Sequence, residues 1–171
     1  MKTHEGKFDT SNRRFAIVAS RFNDYIVESL VRGARGTLGK LGVAEDAIEA
    51  FWVPGAFEIP GVALRVAASG DFDAVICLGC VIRGSTPHFD YVAGECARGI
   101  AELAATSEIP VIFGVLTTET LEQAIERAGT KAGNKGSDAA LAAVEMANLY
   151  SRLDESSGVE TENPGEGAAD A

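Results

Sequence analysis

The strongest chemistry in the chain lies in one short run, Arg83-Gly84-Ser85-Thr86-Pro87-His88, between an apolar segment and a helix start. The first backbone N–H groups of a helix have no partner inside it. Together with the Ser85 and Thr86 hydroxyls they make a cradle for an anion such as phosphate. Gly84 lets the backbone come close to a ligand. His88 falls in the first turn, where an imidazole can transfer a proton at physiological pH. The same residues also suit a plain capped helix with a structural histidine. The run is no P-loop, because G-x-x-x-x-G-K-[ST] does not occur. Arg127, at the end of a helical stretch, can clamp a phosphate with two parallel hydrogen bonds or simply complement the helix C-terminus. Lys135, set among glycines in Gly133-Asn134-Lys135-Gly136, is a second cation of interest. Phe22 can stack on a flat ring, and Glu58 can accept hydrogen bonds from sugar-like hydroxyls. Phe57 and Phe113 suit a ring site or the core equally.

Strand and helix signals alternate around these residues. Residues 14–20, 47–53, 73–82 and 110–116 are apolar runs of strand length. Residues 24–41, 58–69, 87–105, 119–128 and from about 134 to 153 have helical spacing. Asn23 or Asp24 is expected to cap the first helix and Thr118 the fourth, which Gly129 closes. Strands apolar throughout, each followed by a helix, call for a parallel sheet covered on both faces. The fold expected is α/β: a three-layer sandwich with a four-stranded, parallel, flavodoxin-like sheet in the order 2-1-3-4. Phe8 could anchor an extra N-terminal strand. Ligands in such sheets bind beyond the carboxyl ends of the strands. That places Arg21-Phe22-Asn23, residues 54–58, residues 83–88 and the end of the fourth strand around one site.

The chain has 171 residues and a net charge of −10, with 46% hydrophobic residues. That suits one globular domain at residues 14–153, with an N-terminal arm at 1–13. Six of the acidic residues fall after Leu153, in a stretch without Lys, Arg or aromatics. Residues 154–171 are therefore expected to form a disordered acidic tail. An acidic chain without a basic block is a poor partner for nucleic acid or an anionic membrane. No run reaches the ~18 apolar residues of a membrane span. The polar start does not suit a signal peptide, so a cytoplasmic location is expected. Three cysteines, an odd number, argue for thiols over disulfides. Cys77 and Cys80 look like a C-x-x-C metal or redox motif. On a strand they point to opposite faces and cannot share an ion, so no metal is expected. From Ala139 to Leu149 the last helix is apolar nearly all round, which suggests burial between subunits.

Taken together, the loops resemble those of the lumazine synthases. The resemblance is carried by Ser20-Arg21-Phe22-Asn23, Val53-Pro54-Gly55-Ala56-Phe57-Glu58-Ile59-Pro60, Val81-Ile82-Arg83-Gly84, Thr86-Pro87-His88-Phe89-Asp90-Tyr91-Val92, Gly114-Val115-Leu116-Thr117-Thr118, and Arg127-Ala128-Gly129 through Asn134-Lys135-Gly136. It runs in register from about Arg14 to Leu153. It implies the penultimate step of riboflavin biosynthesis: 5-amino-6-(D-ribitylamino)uracil condenses with 3,4-dihydroxy-2-butanone 4-phosphate, giving 6,7-dimethyl-8-ribityllumazine, phosphate and water, without a cofactor. The resemblance further implies His88 as proton donor and Phe22 stacked on the pyrimidine. Ala56, Phe57, Glu58, Cys80, Val81 and Ile82 would line the ribityl site, with Ser85 and Thr86 holding the phosphate. Phe113 would come from a neighbouring subunit, Arg127 would reach the phosphate, Lys135 would touch substrate, and Asp138 would orient His88. It implies pentamers, and the short 129–136 link resembles that of members that build 60-subunit icosahedral shells. Riboflavin synthase is then a candidate protein partner. Phe22 stands where some relatives carry Trp, and Ser85 occupies a variable slot.

Two rival functions share this architecture. A flavin- or lumazine-binding carrier would need a phosphate loop after the first strand, and Arg21-Phe22-Asn23 lacks the Ser/Thr-rich composition for one. An inactive shell protein would have no need of His88, Arg127 and Glu58 together.

Overall fold

The computed structural model describes residues 1–157. Its main sheet has four parallel strands, β1 (Phe15–Ser20), β2 (Ile48–Val53), β3 (Ala74–Ile82) and β4 (Val111–Thr118), in the order β2-β1-β3-β4. The expected order is thus observed. Helices α1 (Asp24–Lys40), α2 (Ile59–Ala67), α3 (His88–Thr106), α4 (Leu121–Arg127) and α5 (Lys135–Ser157) follow the strands.

Alternation along the central strands splits the core in two. Phe15, Ile17, Ala19, Ile76, Leu78 and Cys80 face α1 and α5. Ala16, Val18, Val75, Cys77 and Val81 face α2 and α3. Cys77 and Cys80 therefore lie on opposite sides of the sheet, as the two-residue period requires. The α1 stripe buries Ile26, Leu30, Ala34 and Leu38, and Leu41 packs at its margin. On the other side Ile59, Ala63 and Val66 of α2 meet Cys96, Ile100 and Leu103 of α3.

Several local expectations are corrected. No N-terminal strand forms around Phe8, which is half-exposed. The arm is instead tied to α5 by Asn148 Nδ2 donating to the Asp9 carbonyl (2.8 Å) and by an Arg152 guanidinium N–H donating to the Glu5 carbonyl (2.6 Å). Asn23 makes no side-chain cap on α1. Its backbone is left-handed (φ 60°), and its amide donates to the Cys80 carbonyl at 2.9 Å. Thr118 does not cap α4 either. Pairing of Ile82 with Thr118 draws Thr117 and Thr118 into β4, and Thr120 becomes the cap, accepting from Gln123 N at 3.3 Å. Between α4 and α5 lies an unanticipated hairpin, β5 (Ala128–Thr130) and β6 (Gly133–Asn134), with left-handed Gly129 and Gly133 at its turn. α5 continues past Leu153 to Ser157, because Asp154-Glu155-Ser156-Ser157 contains no breaker. The rest of the expected tail, 158–171, lies outside the described residues.

Asn134 fixes the start of α5. Its Oδ1 accepts from the backbone N–H groups of Gly136 (2.8 Å) and Ser137 (3.2 Å). Its Nδ2 donates to the carbonyls of Ser29 (2.9 Å) and Ala128 (3.2 Å). One amide thus joins α1, β5 and α5. Next to it α5 lies directly on α1: a Cβ at Gly136 would run into the Leu30 carbonyl.

Candidate active site

A cleft of about 590 Å³ opens at the carboxyl ends of the strands. The loops after β1, β2 and β3 and the first two turns of α3 build it. The backbone sets Phe22 in place from two sides. Arg21 N donates to the Val53 carbonyl (2.8 Å) and Phe22 N to the Pro54 carbonyl (3.1 Å), zipping the first loop to the second. The Asn23 amide then anchors it to the end of β3. With its backbone held, the Phe22 ring stands 70% exposed at the cleft mouth. An apolar ring kept in water in this way is ready to stack on a flat partner.

The second loop forms one 3-10 turn at Ala56–Glu58. Ala56 is buried, while Phe57 and Glu58 are exposed and line the cleft. One Glu58 oxygen accepts from Gly55 N at 2.9 Å, which steadies the turn. Cys80 and Val81 are buried at the cleft floor, and Ile82 is half-buried beside them. Burial pushes the Cys80 thiol up to about 11, so it is an uncharged wall and no nucleophile. Thr86 and His88 close the far side, and His88 is the first residue of α3. Among the described residues, no side-chain hydrogen bond ties down Ser85, Thr86 or His88. Gly55 and Gly84, from the two expected loops, also line the cleft, as do Phe89, Tyr91 and Val92, which were not anticipated as site residues. Helical spacing could have found two of them, since positions three and four beyond His88 share its face.

The remaining predicted residues lie elsewhere. Ser85 is next to Thr86 in the chain but does not line the cleft. Phe113 pairs in register with Cys77, and Thr118 with Ile82. Five residues at roughly 3.3 Å each put Phe113 about 17 Å below the carboxyl edge of the sheet. It is exposed on the edge strand. Arg127 folds back on its own helix, one guanidinium N–H donating to the Gln123 carbonyl at 3.0 Å. Lys135 Nζ and Asp138 Oδ2 pair at 2.8 Å on the surface of α5, so Asp138 is engaged by Lys135. One chain brings Phe22, Ala56–Glu58, Cys80–Ile82, Thr86 and His88 into one cleft but leaves Ser85, Phe113, Arg127, Lys135 and Asp138 off its lining.

The 6,7-dimethyl-8-ribityllumazine synthase family profile matches residues 12–151. Two 6,7-dimethyl-8-ribityllumazine synthases, from two strains of Clostridium kluyveri, are each 57% identical over 154 residues, covering 90% of this chain and 100% of their own. This chain belongs to the 6,7-dimethyl-8-ribityllumazine synthase family. The family match spans every candidate residue from Phe22 to Asp138. It includes the residues of the cleft and also the five that do not line it.

Proposed function

We propose that this chain is a 6,7-dimethyl-8-ribityllumazine synthase, joining 5-amino-6-(D-ribitylamino)uracil to 3,4-dihydroxy-2-butanone 4-phosphate with loss of phosphate and water. The observation that carries the reading is the cleft itself: a solvent-held aromatic ring, Phe22, stands opposite the Thr86–His88 helix start across an apolar floor. Phe22 stacks on the pyrimidine, and Ala56, Phe57, Glu58, Cys80, Val81 and Ile82 receive the ribityl chain. Ser85 and Thr86 hold the phosphate at the helix N-terminus, where free N–H groups favour an anion. The 5-amino group attacks the ketone and one water leaves to give an imine. A proton is lost and phosphate departs, leaving an enol that becomes a carbonyl. The ribitylamino nitrogen attacks that carbonyl, and loss of a second water closes the ring. His88 supplies and removes protons at the reacting centre. Most of the acceleration comes from holding two reactants face to face, since orientation alone can remove several kcal/mol of barrier.

The active site is completed by a neighbouring subunit, which brings Phe113 to the ring and Arg127 to the phosphate, with Lys135 and Asp138 assisting. Two features support this. Phe113 and Arg127 do not reach their own cleft. α5 also carries a second apolar stripe, Leu141, Ala142, Met146 and Leu149, away from its buried face. The assembly is a pentamer and, with the short 129–136 link, a 60-subunit icosahedral shell in the cytoplasm, able to work beside riboflavin synthase. Absorbance of the lumazine product on mixing the two substrates tests the activity. A yellow chromophore bound without turnover would point to a carrier, and no response at all to an inactive shell.

A further inference from the structure

Resting on the phosphate-cradle reading above, we propose that Arg83 is a positioning residue that clamps the 84–87 loop into its anion-binding shape without itself touching the phosphate. The loop has little else to hold it. Ser85, Thr86 and Pro87 are exposed, and residues 83–86 have no regular structure. Arg83 is held at its backbone, at two of its nitrogens and over a ring. Its backbone N–H donates to the Thr118 carbonyl at 2.9 Å, beyond the last pair of β3 and β4. Its Nε pairs with Glu119 Oε2 at 2.7 Å and its Nη2 with Asp90 Oδ1 at 3.0 Å. The guanidinium carbon lies over the Phe89 ring, 4.2 Å from its centre.

These partners come from the loop after β4 and from the first turn of α3. One planar cation therefore joins three elements, with Gly84-Ser85-Thr86-Pro87 strung between its backbone and the helix it grips. Its Nε and Nη2 are each engaged by a carboxylate, which ties the guanidinium to α3 and to the loop after β4. A lysine cannot reproduce this, since a point charge neither spans two carboxylates nor stacks flat on a ring. Each exposed ion pair and the cation–π contact is individually modest. Their combined loss is read as looser phosphate binding.

The sign of a charge-neutralising variant separates the clamp from simple attraction. Glu119→Gln removes a negative charge near the cradle, which by electrostatics alone tightens phosphate. If Glu119 matters by holding Arg83, the same change weakens it. The test uses the full-length assembled protein, titrated with inorganic phosphate by calorimetry and assayed with both substrates.

Arg83→Gln is expected to weaken phosphate about five- to tenfold. The KM for the phosphorylated ketone should rise in step, while that for the ribitylaminouracil stays within about twofold. Glu119→Gln, which also serves if Arg83→Gln does not fold, should weaken phosphate as well. Tighter binding in Glu119→Gln, wild-type binding in Arg83→Lys, or equal changes in both KM values would overturn the clamp. Wild-type protein that neither binds phosphate nor turns over substrate would overturn the function and the clamp together. Binding that Arg83→Gln leaves unchanged would overturn the clamp alone.

Discussion

His88 stands at a helix start with a free imidazole and no side-chain hydrogen bond among the described residues, so its chemistry is set by what binds in front of it. A positioned general acid or base contributes roughly 10²–10⁴-fold. His88→Ala should slow turnover by about that factor and still leave a measurable rate, because the cleft goes on aligning the reactants. Wild-type turnover in the variant would remove His88 from the mechanism. Arg127 differs in its proposed role, a charge-assisted contact to the phosphate that serves binding more than turnover. Arg127→Ala should raise the KM for the phosphorylated ketone more than it lowers kcat, and an unchanged KM in steady-state kinetics would rule the contact out. Cys80 illustrates a residue whose type misleads. Half of a C-x-x-C by spelling, it is a protonated wall held up by burial.

Among the elements, the tightest tolerance is where α5 meets α1. Gly136 has no room for a methyl group because the Leu30 carbonyl lies against it, and Asn134 satisfies four backbone groups beside it. Gly136→Ala forces the two helices apart and should cost about 1–3 kcal/mol, measurable as a lower denaturation midpoint at unchanged slope. The helix start at Asn134 was legible, but its bond to Ser29 and the lack of room at Gly136 were not, since both depend on a helix a hundred residues earlier in the chain. β1 and β3 were legible because they are almost wholly apolar, a signature of burial on both faces, whereas the edge strand β2, with Glu49 and a largely exposed surface, was legible mainly from its place in the strand–helix alternation. The β5–β6 hairpin was not, since strands this short carry no hydrophobic period and only the left-handed glycines shape it. The fourth helix start was misplaced for a related reason: the end of β4 is decided by pairing with β3, which local sequence does not reveal.

For the whole molecule, the legible part of the site is the part built from consecutive strand ends: Phe22, Ala56–Glu58, Cys80–Ile82, Thr86 and His88 all meet in one cleft. For Phe113 the residues left ring site and core equal, and for Arg127 phosphate clamp and helix-end partner; only the resemblance chose between them, because no rule about strand ends reaches a mid-strand residue on an edge or a guanidinium turned onto its own helix. The proposed assembly makes a plain prediction. Light scattering or analytical ultracentrifugation should find a particle of 60 chains, and a pentamer-sized particle alone would refute the shell while leaving the shared site intact. The strand order has a consequence for how the protein is made. β1 sits between β2 and β3, yet Ala74, which pairs with Phe15, is synthesised about sixty residues later, and such distant pairings form slowly. A nascent chain therefore leaves the ribosome with its central strand open along one edge until nearly half the protein has been translated, so codon choice and chaperone access before β3 bear directly on yield.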